Sequence, residues 1–384
     1  MRVVISGGGT AGHVYPGLAL AKALQKIKND IDILYIGTTN GLEATIVPQA
    51  GLNFKVVDAR GLPRKPSVKA LATFFSAGRG TIEAAGILKN FQPDVVIGMG
   101  AYVSMPVVGA AVLRKIPTII HEQNAVPGLV NRVLGKVVSA IAVSYPGMES
   151  HFPTGKRIVF TGNPIREEVM RVDRQEAARA YSIEESRKVV LIFGGSRGAQ
   201  KINESAVGLY DHWRHNDGLQ IIHSTGKINY DPVRESIDAL RSAGDSLAYS
   251  TYPYIDDMGG AYAVADLLVC RSGATTIAEI SSIGLPAILI PYPYATDNHQ
   301  AENARQLERM GAAKVILDQD VTSDSLCGAA EELVFDKEKL AAMSAASLEF
   351  GRPRAAGELA DLVFEVAQSK KNEQPIENKL GSSY

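Results

Sequence analysis

Three turns in this sequence could grip an anion with main-chain groups. Gly7-Gly8-Gly9-Thr10-Ala11-Gly12-His13 follows an apolar run at 3–6 and precedes a helical pattern with Pro16 in its first turn. Gly194-Gly195-Ser196-Arg197-Gly198 follows a second such run at 189–193. Glycine lets the backbone approach a ligand closely, and a helix start offers N–H groups without intrahelical acceptors. Neither turn carries the Gly-Lys-Ser/Thr of a Walker loop. No acidic residue closes the second strand, where Tyr35-Ile36-Gly37-Thr38 stands, so a nicotinamide dinucleotide is disfavoured.

The third turn is the most telling. Cys270-Arg271-Ser272-Gly273 leads from an apolar run into a helix starting near Ala274. The first N–H groups of that helix suit a diphosphate, with a dipole contribution of about 0.3–1 kcal/mol. Glu279 lies further along it, where a carboxylate either accepts both hydroxyls of a ribose or complements the helix N-terminus. Downstream, Asp297, Asn298, His299 and Gln300 crowd the start of another helix behind Pro291-Tyr292-Pro293-Tyr294. A cap by Asp297 or Thr296 accounts for one of the four.

These turns need elements to position them. Apolar β-type runs at 3–6, 31–36, 54–57, 95–97, 118–121 and 140–144 alternate with helical patterns at 18–28, 69–89, 103–113 and 130–134. The order restarts with runs at 189–193, 220–223, 247–252, 267–270, 287–291 and 314–316. Such alternation predicts parallel sheets covered by helices on both faces. Thr161-Gly162-Asn163-Pro164 breaks the two halves apart, since Pro164 disfavours helix at Asn163. The expected fold class is α/β, with two Rossmann-like, doubly wound parallel-sheet domains, 1–165 and 166–349, facing across a cleft. Ligands of such sheets lie beyond the carboxyl ends of the strands. Residues 355–368 carry an amphipathic pattern, with Leu359, Leu362, Val363 and Val366 on one face; 369–384 read as a disordered, solvated tail.

Composition narrows the function. With 384 residues, 46% hydrophobic and 21% charged, the chain has globular rather than disordered composition. Lys+Arg is 40 and Asp+Glu is 41, so no global basic field exists and nucleic acid is not an expected partner. Cys270 and Cys327 make no disulfide framework and read as buried thiols in a reducing compartment. Residues 95–113 are uncharged and long enough to span a bilayer, but their glycines and Pro106 divide them into a strand, a turn and a small-residue helix.

Taken together, Gly-Gly-Gly-Thr-Ala-Gly-His at 7–13, His-Glu-Gln-Asn at 121–124, Gly-Asn-Pro-Ile-Arg at 162–166, Gly-Gly-Ser-Arg-Gly-Ala at 194–199 and Arg-Ser-Gly-Ala at 271–274 resemble the MurG family. These are the bacterial UDP-N-acetylglucosamine transferases that add the second sugar of the peptidoglycan lipid precursor. The resemblance implies a GT-B fold in which domain 1–165 binds the acceptor and meets the membrane. Domain 166–349 would bind UDP-GlcNAc, and a C-terminal helix, 350–368, would pack back on the first domain. It implies inverting transfer of GlcNAc from UDP-GlcNAc to the C4 hydroxyl of MurNAc in lipid I (undecaprenyl-pyrophosphoryl-MurNAc-pentapeptide), giving lipid II. No metal and no cofactor are implied, helix-start amides taking the metal's electrostatic role. Thr10, Ala11 and Gly12 are the implied turn near the transferred sugar, with Asn124 a ligand of its hydroxyl. Arg166 and Ser196 are implied donor contacts, and Ile255 a backbone contact to uracil. Ala274, Thr275, Thr276, Ile277, Ala278 and Glu279 are the implied phosphate and ribose segment, and Gln300 a further sugar contact. Two glutamines often stand where this chain has His299-Gln300, so only Gln300 carries over.

The transfer needs a proton acceptor, and His13 and Glu122 are the two candidates. An unperturbed imidazole titrates near pH 6.5, which suits His13, though it could instead orient its loop. His121 is expected to pack at the end of its strand. The acceptor is membrane-bound, so the family also implies peripheral docking at the cytoplasmic face of the cell membrane, alongside other cell-wall synthesis proteins. Lys65, Lys69, Phe74, Phe75 and Arg79 combine bases with aromatics suited to an anionic surface; the alternative is core aromatics beside a solvated face. Turns at 98–102 and 126–128 are candidates for the acceptor diphosphate. Rival functions on this architecture are a nonhydrolysing UDP-GlcNAc 2-epimerase, a diacylglycerol-type lipid glycosyltransferase, and a catalytically silent scaffold.

Overall fold

The computed structural model describes residues 1–59, 68–170, 172–195 and 198–372, with backbone alone at 68–77 and 370–372. Lys65 and Ser196 therefore lie outside the described residues, as do the side chains of Lys69, Phe74 and Phe75. The chain forms two compact units, Met1–Gln123 with Pro127–Pro164 and Arg354–Tyr384, and Asn124–Val126 with Ile165–Pro353.

Unit 1 contains β1 (Arg2–Ser6), α1 (Ala11–Ile27), β2 (Asp32–Gly37), α2 (Glu43–Gln49), β3 (Asn53–Val56) and α3 (Val68–Phe91). It continues with β4 (Val95–Gly98), α4 (Ser104–Leu113), β5 (Thr118–Glu122), α5 (Leu129–Leu134), β6 (Ala140–Val143) and β7 (Arg157–Phe160). Unit 2 contains α6 (Glu167–Met170), α7 (Arg174–Ala180), β8 (Lys188–Phe193), α8 (Gln200–Trp213), β9 (Leu219–Ser224), α9 (Tyr230–Leu240), β10 (Ala248–Tyr252) and α10 (Met258–Val264). It continues with β11 (Leu267–Cys270), α11 (Ala274–Ile283), β12 (Ala287–Leu289), α12 (His299–Arg309), β13 (Ala313–Val315), α13 (Ser323–Val334) and α14 (Lys337–Phe350). The last helix, α15 (Ala355–Asn372), belongs to unit 1.

Both sheets are wholly parallel. The seven-stranded sheet runs β3-β2-β1-β4-β5-β6-β7 and the six-stranded one β10-β9-β8-β11-β12-β13. Each thus repeats the doubly wound order, with its topological switch at the carboxyl ends of β1 and β4, or of β8 and β11. Val3, Val4 and Ile5 on β1, and Val189 to Ile192 on β8, are fully buried. Helices covering both faces leave no side of these strands wet, which is why they read as continuous apolar runs.

Several local expectations are corrected. Strand β7 is not among the expected runs; it is an edge strand whose Ile158, Val159 and Phe160 are half-buried. Helix α1 begins at Ala11, so Pro16 falls beyond its first turn, and Ala11, Gly12 and His13 are helical. Neither Thr296 nor Asp297 caps α12; its N-cap is Asn298, which makes no side-chain cap bond. Asp297 and Asn298 are instead both left-handed, at φ 52° and 54°. Helix α15 starts at Ala355 and extends to Asn372, four residues past the expected end, the tail beyond lying outside the described residues.

Leu359, Leu362, Val363 and Val366 of α15 are buried in the unit 1 core, where the helix packs against α1. Burying that face is what holds the chain's last helix on the first unit. Leu359→Ala is expected to destabilise unit 1 by about 2–5 kcal/mol. Urea unfolding followed by a unit 1 probe measures this, and an unchanged midpoint would show that α15 is not part of the core.

Candidate active site

In unit 1 the chemistry collects at the switch between β1 and β4. Thr10 is the N-cap of α1, yet its hydroxyl makes no cap bond. It lies 2.9 Å from His13 Nδ1 instead. Gly100, at φ 86°, is so close to His13 that a Cβ there would stand 2.8 Å from the ring. The turn 98–102 is thus pressed against the imidazole, and glycine is required by contact and by backbone conformation alike.

Two buried carboxylates brace these turns. Glu43 accepts from Gly9 N (2.9 Å), Thr38 N (3.0 Å) and Thr38 Oγ1 (2.8 Å). Glu122 Oε2 accepts from Gly128 N (3.0 Å) and Asn131 Nδ2 (2.8 Å). Glu122 is 2% exposed, which suits an anchor for the loop at 123–128. His121 is fully buried, with Nε2 3.0 Å from the Gly162 carbonyl and Nδ1 3.0 Å from Gln123 Nε2. Burial pushes its imidazole down to about 4, the bond to Gly162 opposing and His13 adding to the shift. The neutral ring therefore donates from Nε2 to Gly162 and accepts at Nδ1 from Gln123, whose Nε2 also reaches the Met99 carbonyl at 2.8 Å.

In unit 2 the switch lies between β8 and β11. Gly273 is the N-cap of α11, and Ile277 N closes the first turn on the Gly273 carbonyl. The amides of Ala274, Thr275 and Thr276 head this helix, where an anion is favoured. Thr275 Oγ1 is buried and, among the described residues, makes no hydrogen bond. Glu279, 3% exposed, takes Arg166 Nη2 at 3.0 Å and Nε at 3.3 Å on Oε1. Tyr262 donates to its Oε2 at 3.2 Å. Burial raises the Glu279 carboxyl above its ordinary range, with Arg166 and Tyr262 pulling it back.

The segment after β12 is tied to this helix. Ser272 Oγ donates to the Gln300 carbonyl (2.8 Å), and Gln300 Oε1 accepts Tyr292 N (2.9 Å). Arg271 reaches the Ile290 and Pro291 carbonyls and pairs with Asp318. His299 Nδ1 lies 2.7 Å from the Thr296 carbonyl, so His299 serves the turn itself. Asn303 donates to Ser272 O and Asn124 Oδ1 and accepts Ala125 N, fixing Asn124 beside α12. Ile255 is buried, and its loop is set by Asp257, whose side chain accepts Gly260 N and whose carbonyl accepts Tyr181 OH.

The structure therefore brings Thr10, Ala11, Gly12 and His13 together in unit 1. It groups Asn124, Arg166, Ala274 to Glu279 and Gln300 in unit 2. Glu43, Tyr262 and Asn303 were not anticipated, because each acts through partners brought to it by the fold; Arg271 stood in the turn singled out, without a stated role. Among the described residues, no group of three or more His, Cys, Asp or Glu could hold a metal ion.

Two doubly wound sheets with anion-ready turns at their switch points describe a class of nucleotide-sugar proteins. The sequence matches the glycosyltransferase family 28 N-terminal domain over residues 3–143 and the C-terminal domain over 189–359. The chain belongs to glycosyltransferase family 28. It is 46% identical over 374 residues to the UDP-N-acetylglucosamine--N-acetylmuramyl-(pentapeptide) pyrophosphoryl-undecaprenol N-acetylglucosamine transferase of Halothermothrix orenii, covering 96% of this chain and 100% of that one. The Listeria welshimeri protein of the same name is 42% identical, over 95% of this chain and 99% of the relative. The crystal structure of Acinetobacter baumannii MurG superposes with a TM-score of 0.75 at 29% identity, over 95% and 99% of the two chains. A UDP-GlcNAc 2-epimerase from Neisseria meningitidis shares the fold at TM-score 0.68 but only 15% identity.

The His121 imidazole is expected to stay neutral well below pH 6.5. The unfolded chain takes up this proton near 6.5 and the folded chain only near 4. Stability from His121 is therefore complete above pH 6.5 and lost as pH falls toward 4, amounting to roughly 2–4 kcal/mol. Imidazole NMR resonances followed from pH 8 to 4 test this; a midpoint near 6.5 for His121 would sink it.

Proposed function

We propose that this enzyme transfers GlcNAc from UDP-GlcNAc to the C4 hydroxyl of MurNAc in lipid I, giving lipid II with inversion at the anomeric carbon. The observation that carries this is the near-full-length identity with transferases of that name. The epimerase alternative rests on likeness of fold alone. UDP release that requires a lipid I analogue separates the two, since an epimerase needs no acceptor.

Unit 2 holds the donor in this reading. The α11 amides and Thr275 hydroxyl face the diphosphate, Glu279 takes ribose hydroxyls, the 254–258 loop meets uracil, and Asn124 and Gln300 contact the sugar. Arg166 orients Glu279, and Ser196, which follows β8 in the sequence and lies outside the described residues, serves the diphosphate. As the C1–O bond to UDP breaks, its electron pair passes to the diphosphate, where fixed helix-start dipoles stabilise it without a metal ion. Unit 1 supplies His13 as the base. With hydrogen on Nδ1 donated to Thr10 Oγ1, Nε2 keeps its lone pair and accepts the C4 hydroxyl proton as the oxygen attacks C1. The brace role of Glu122 favours His13 over it. His13→Ala should lower turnover by about 10²–10⁴-fold with UDP affinity within a few-fold of the parent. Turnover retained within a few-fold would remove His13 as the base.

The enzyme works peripherally at the cytoplasmic face of the membrane that carries its acceptor. No helix among the described residues is long and apolar enough to cross a bilayer. Unit 1 offers a docking face instead. Helix α4 packs against α3 and α5, and Ile82, Leu113, Leu129, Val133 and Val137 on and after these helices are exposed. Arg114, Lys115, Arg132 and Lys136 are interleaved with them, and such cations contribute roughly 1 kcal/mol each near anionic lipid. Arg79 is tied to Glu83 at 2.8 Å, so its charge is answered on α3 itself. Ile82→Asp with Leu113→Asp should weaken binding to phosphatidylglycerol vesicles about tenfold or more. Equal vesicle binding by the double variant would move the docking face elsewhere.

A further inference from the structure

Unit 2 contains a cavity remote from the α11 N-terminus. A cavity of about 470 Å³ lies at the amino ends of the strands, where Lys188 opens β8, Asp266 precedes β11 and Pro286 precedes β12. Cavities of roughly 300–1,000 Å³ are the size that holds small molecules. Arg174, Lys188 and Lys337 line it, against the single carboxylate of Asp266. Lys188 and Arg174 both reach Asp266 Oδ1, at 3.3 and 3.6 Å, while its Oδ2 is taken by Val189 N. One carboxylate cannot balance three cations, so the lining favours an anion. Met170, Leu285 and Leu340 supply an apolar wall beside the charged edge.

The elements around this cavity are those that hold Glu279. Val169 and Met170 of α6 line it, and Val169 N donates to the carbonyl of Arg166. Tyr262 of α10 lines it, and the same side chain donates to Glu279 Oε2. Ile283 and Gly284, at the end of α11, line it too, and Glu279 stands on that helix. Helix α10 is pressed on α6 so tightly that a Cβ at Gly259 would stand 2.8 Å from the Glu168 carbonyl. Interiors packed this closely transmit small displacements rather than absorb them.

We propose that this cavity binds a small organic anion, with a phosphate or carboxylate head on the Lys188–Lys337 edge and an apolar body against Leu285 and Leu340, and that its occupancy changes the affinity of unit 2 for UDP. The coupling rests on the reading of Glu279 as a donor ligand. By linkage, UDP must change affinity for the anion by the same factor.

Phenyl phosphate is the probe, titrated calorimetrically into the full-length enzyme. Binding to the parent is expected, weakened about tenfold or more by Lys337→Glu. At saturation it should shift UDP affinity by about threefold or more, and Ala341→Trp, which fills the cavity from α14, should abolish that shift. No binding of phenyl phosphate, or binding indifferent to Lys337→Glu, overturns the site. An unmoved UDP affinity overturns the coupling. Glu279→Gln tests the donor reading separately: UDP affinity equal to the parent's would end that reading, whereas the phenyl phosphate binding lost in Lys337→Glu reports on the cavity alone.

Discussion

A carboxylate withdrawn from water is tolerable only when charged or polar partners replace its hydration, and Glu279 is such a carboxylate. Its partners come from two places, Arg166 ahead of α6 and Tyr262 on α10, while Glu279 itself stands on α11. The need to satisfy one buried charge therefore fixes three helices against each other. It also fixes the direction of the α11 N-terminus, since Glu279 and the leading amides share one short helix. Removing Arg166 would leave the charge without its counter-ion, a loss of about 3–5 kcal/mol. Under the proposed reading, ribose hydroxyls approach a carboxylate already desolvated and aligned, so the ordering cost of recognition was met during folding.

Unit 1 uses the same physics on its turns. The loop before α1 lies beyond the strand ladder of β1 and β2, so strand hydrogen bonds do not hold it. Glu43 holds it instead, joining Gly9 to Thr38 across the ends of β1 and β2. The glycines there follow from that carboxylate as much as from any ligand. A Cβ at Gly8 or Gly41 would stand 2.2 or 2.0 Å from the Glu43 carboxylate oxygens. Glu122 repeats the device on Gly128 and Asn131, next to the segment that bears Asn124. Thr10 and His13 thus rest on a rigid base while remaining on a loop-to-helix junction, which is where preorganised chemistry is best supported.

What could be read from the sequence was local. Twelve apolar or β-type runs become strands, and the central ones, such as β1, β4, β8 and β11, are legible because a strand buried on both faces writes itself as an almost unbroken apolar run. The glycine turns were legible for the same reason, as each is one contiguous stretch. The bracing residues were not. Glu43 sits 34 residues from Gly9, and Arg166 sits 113 residues from Glu279. Nothing in a lone Glu of a polar stretch tells a buried brace from a solvated surface group. The start of α1 was misplaced because Gly12 and Pro16 both argue against helix locally, whereas the Thr10 carbonyl accepts His13 N and Val14 N and starts the helix regardless. Strand β7 carries the β-type run Ile158-Val159-Phe160 but lies at the sheet edge, as β3 does at the other.

The turn before α12 shows where stability has been given up. Asp297 and Asn298 are successive non-glycine residues in the left-handed region, each costing about 1–2 kcal/mol, softened by the tolerance of Asp and Asn for it. The cost persists because the surroundings over-determine the turn. His299 bonds the Thr296 carbonyl, Gln300 clamps Tyr292 N, and Arg271 holds the chain just upstream. Strain of this kind gathers where a segment must rearrange. The clamp on Tyr292 N uses one acceptor site of Gln300 Oε1, so under the proposed reading its second lone pair and the Nε2 hydrogens are what a sugar hydroxyl would meet. The bonds of His299, Gln300 and Arg271 thus hold in place a turn that its own backbone disfavours, and under the proposed reading they hold Gln300 in a fixed position for the donor.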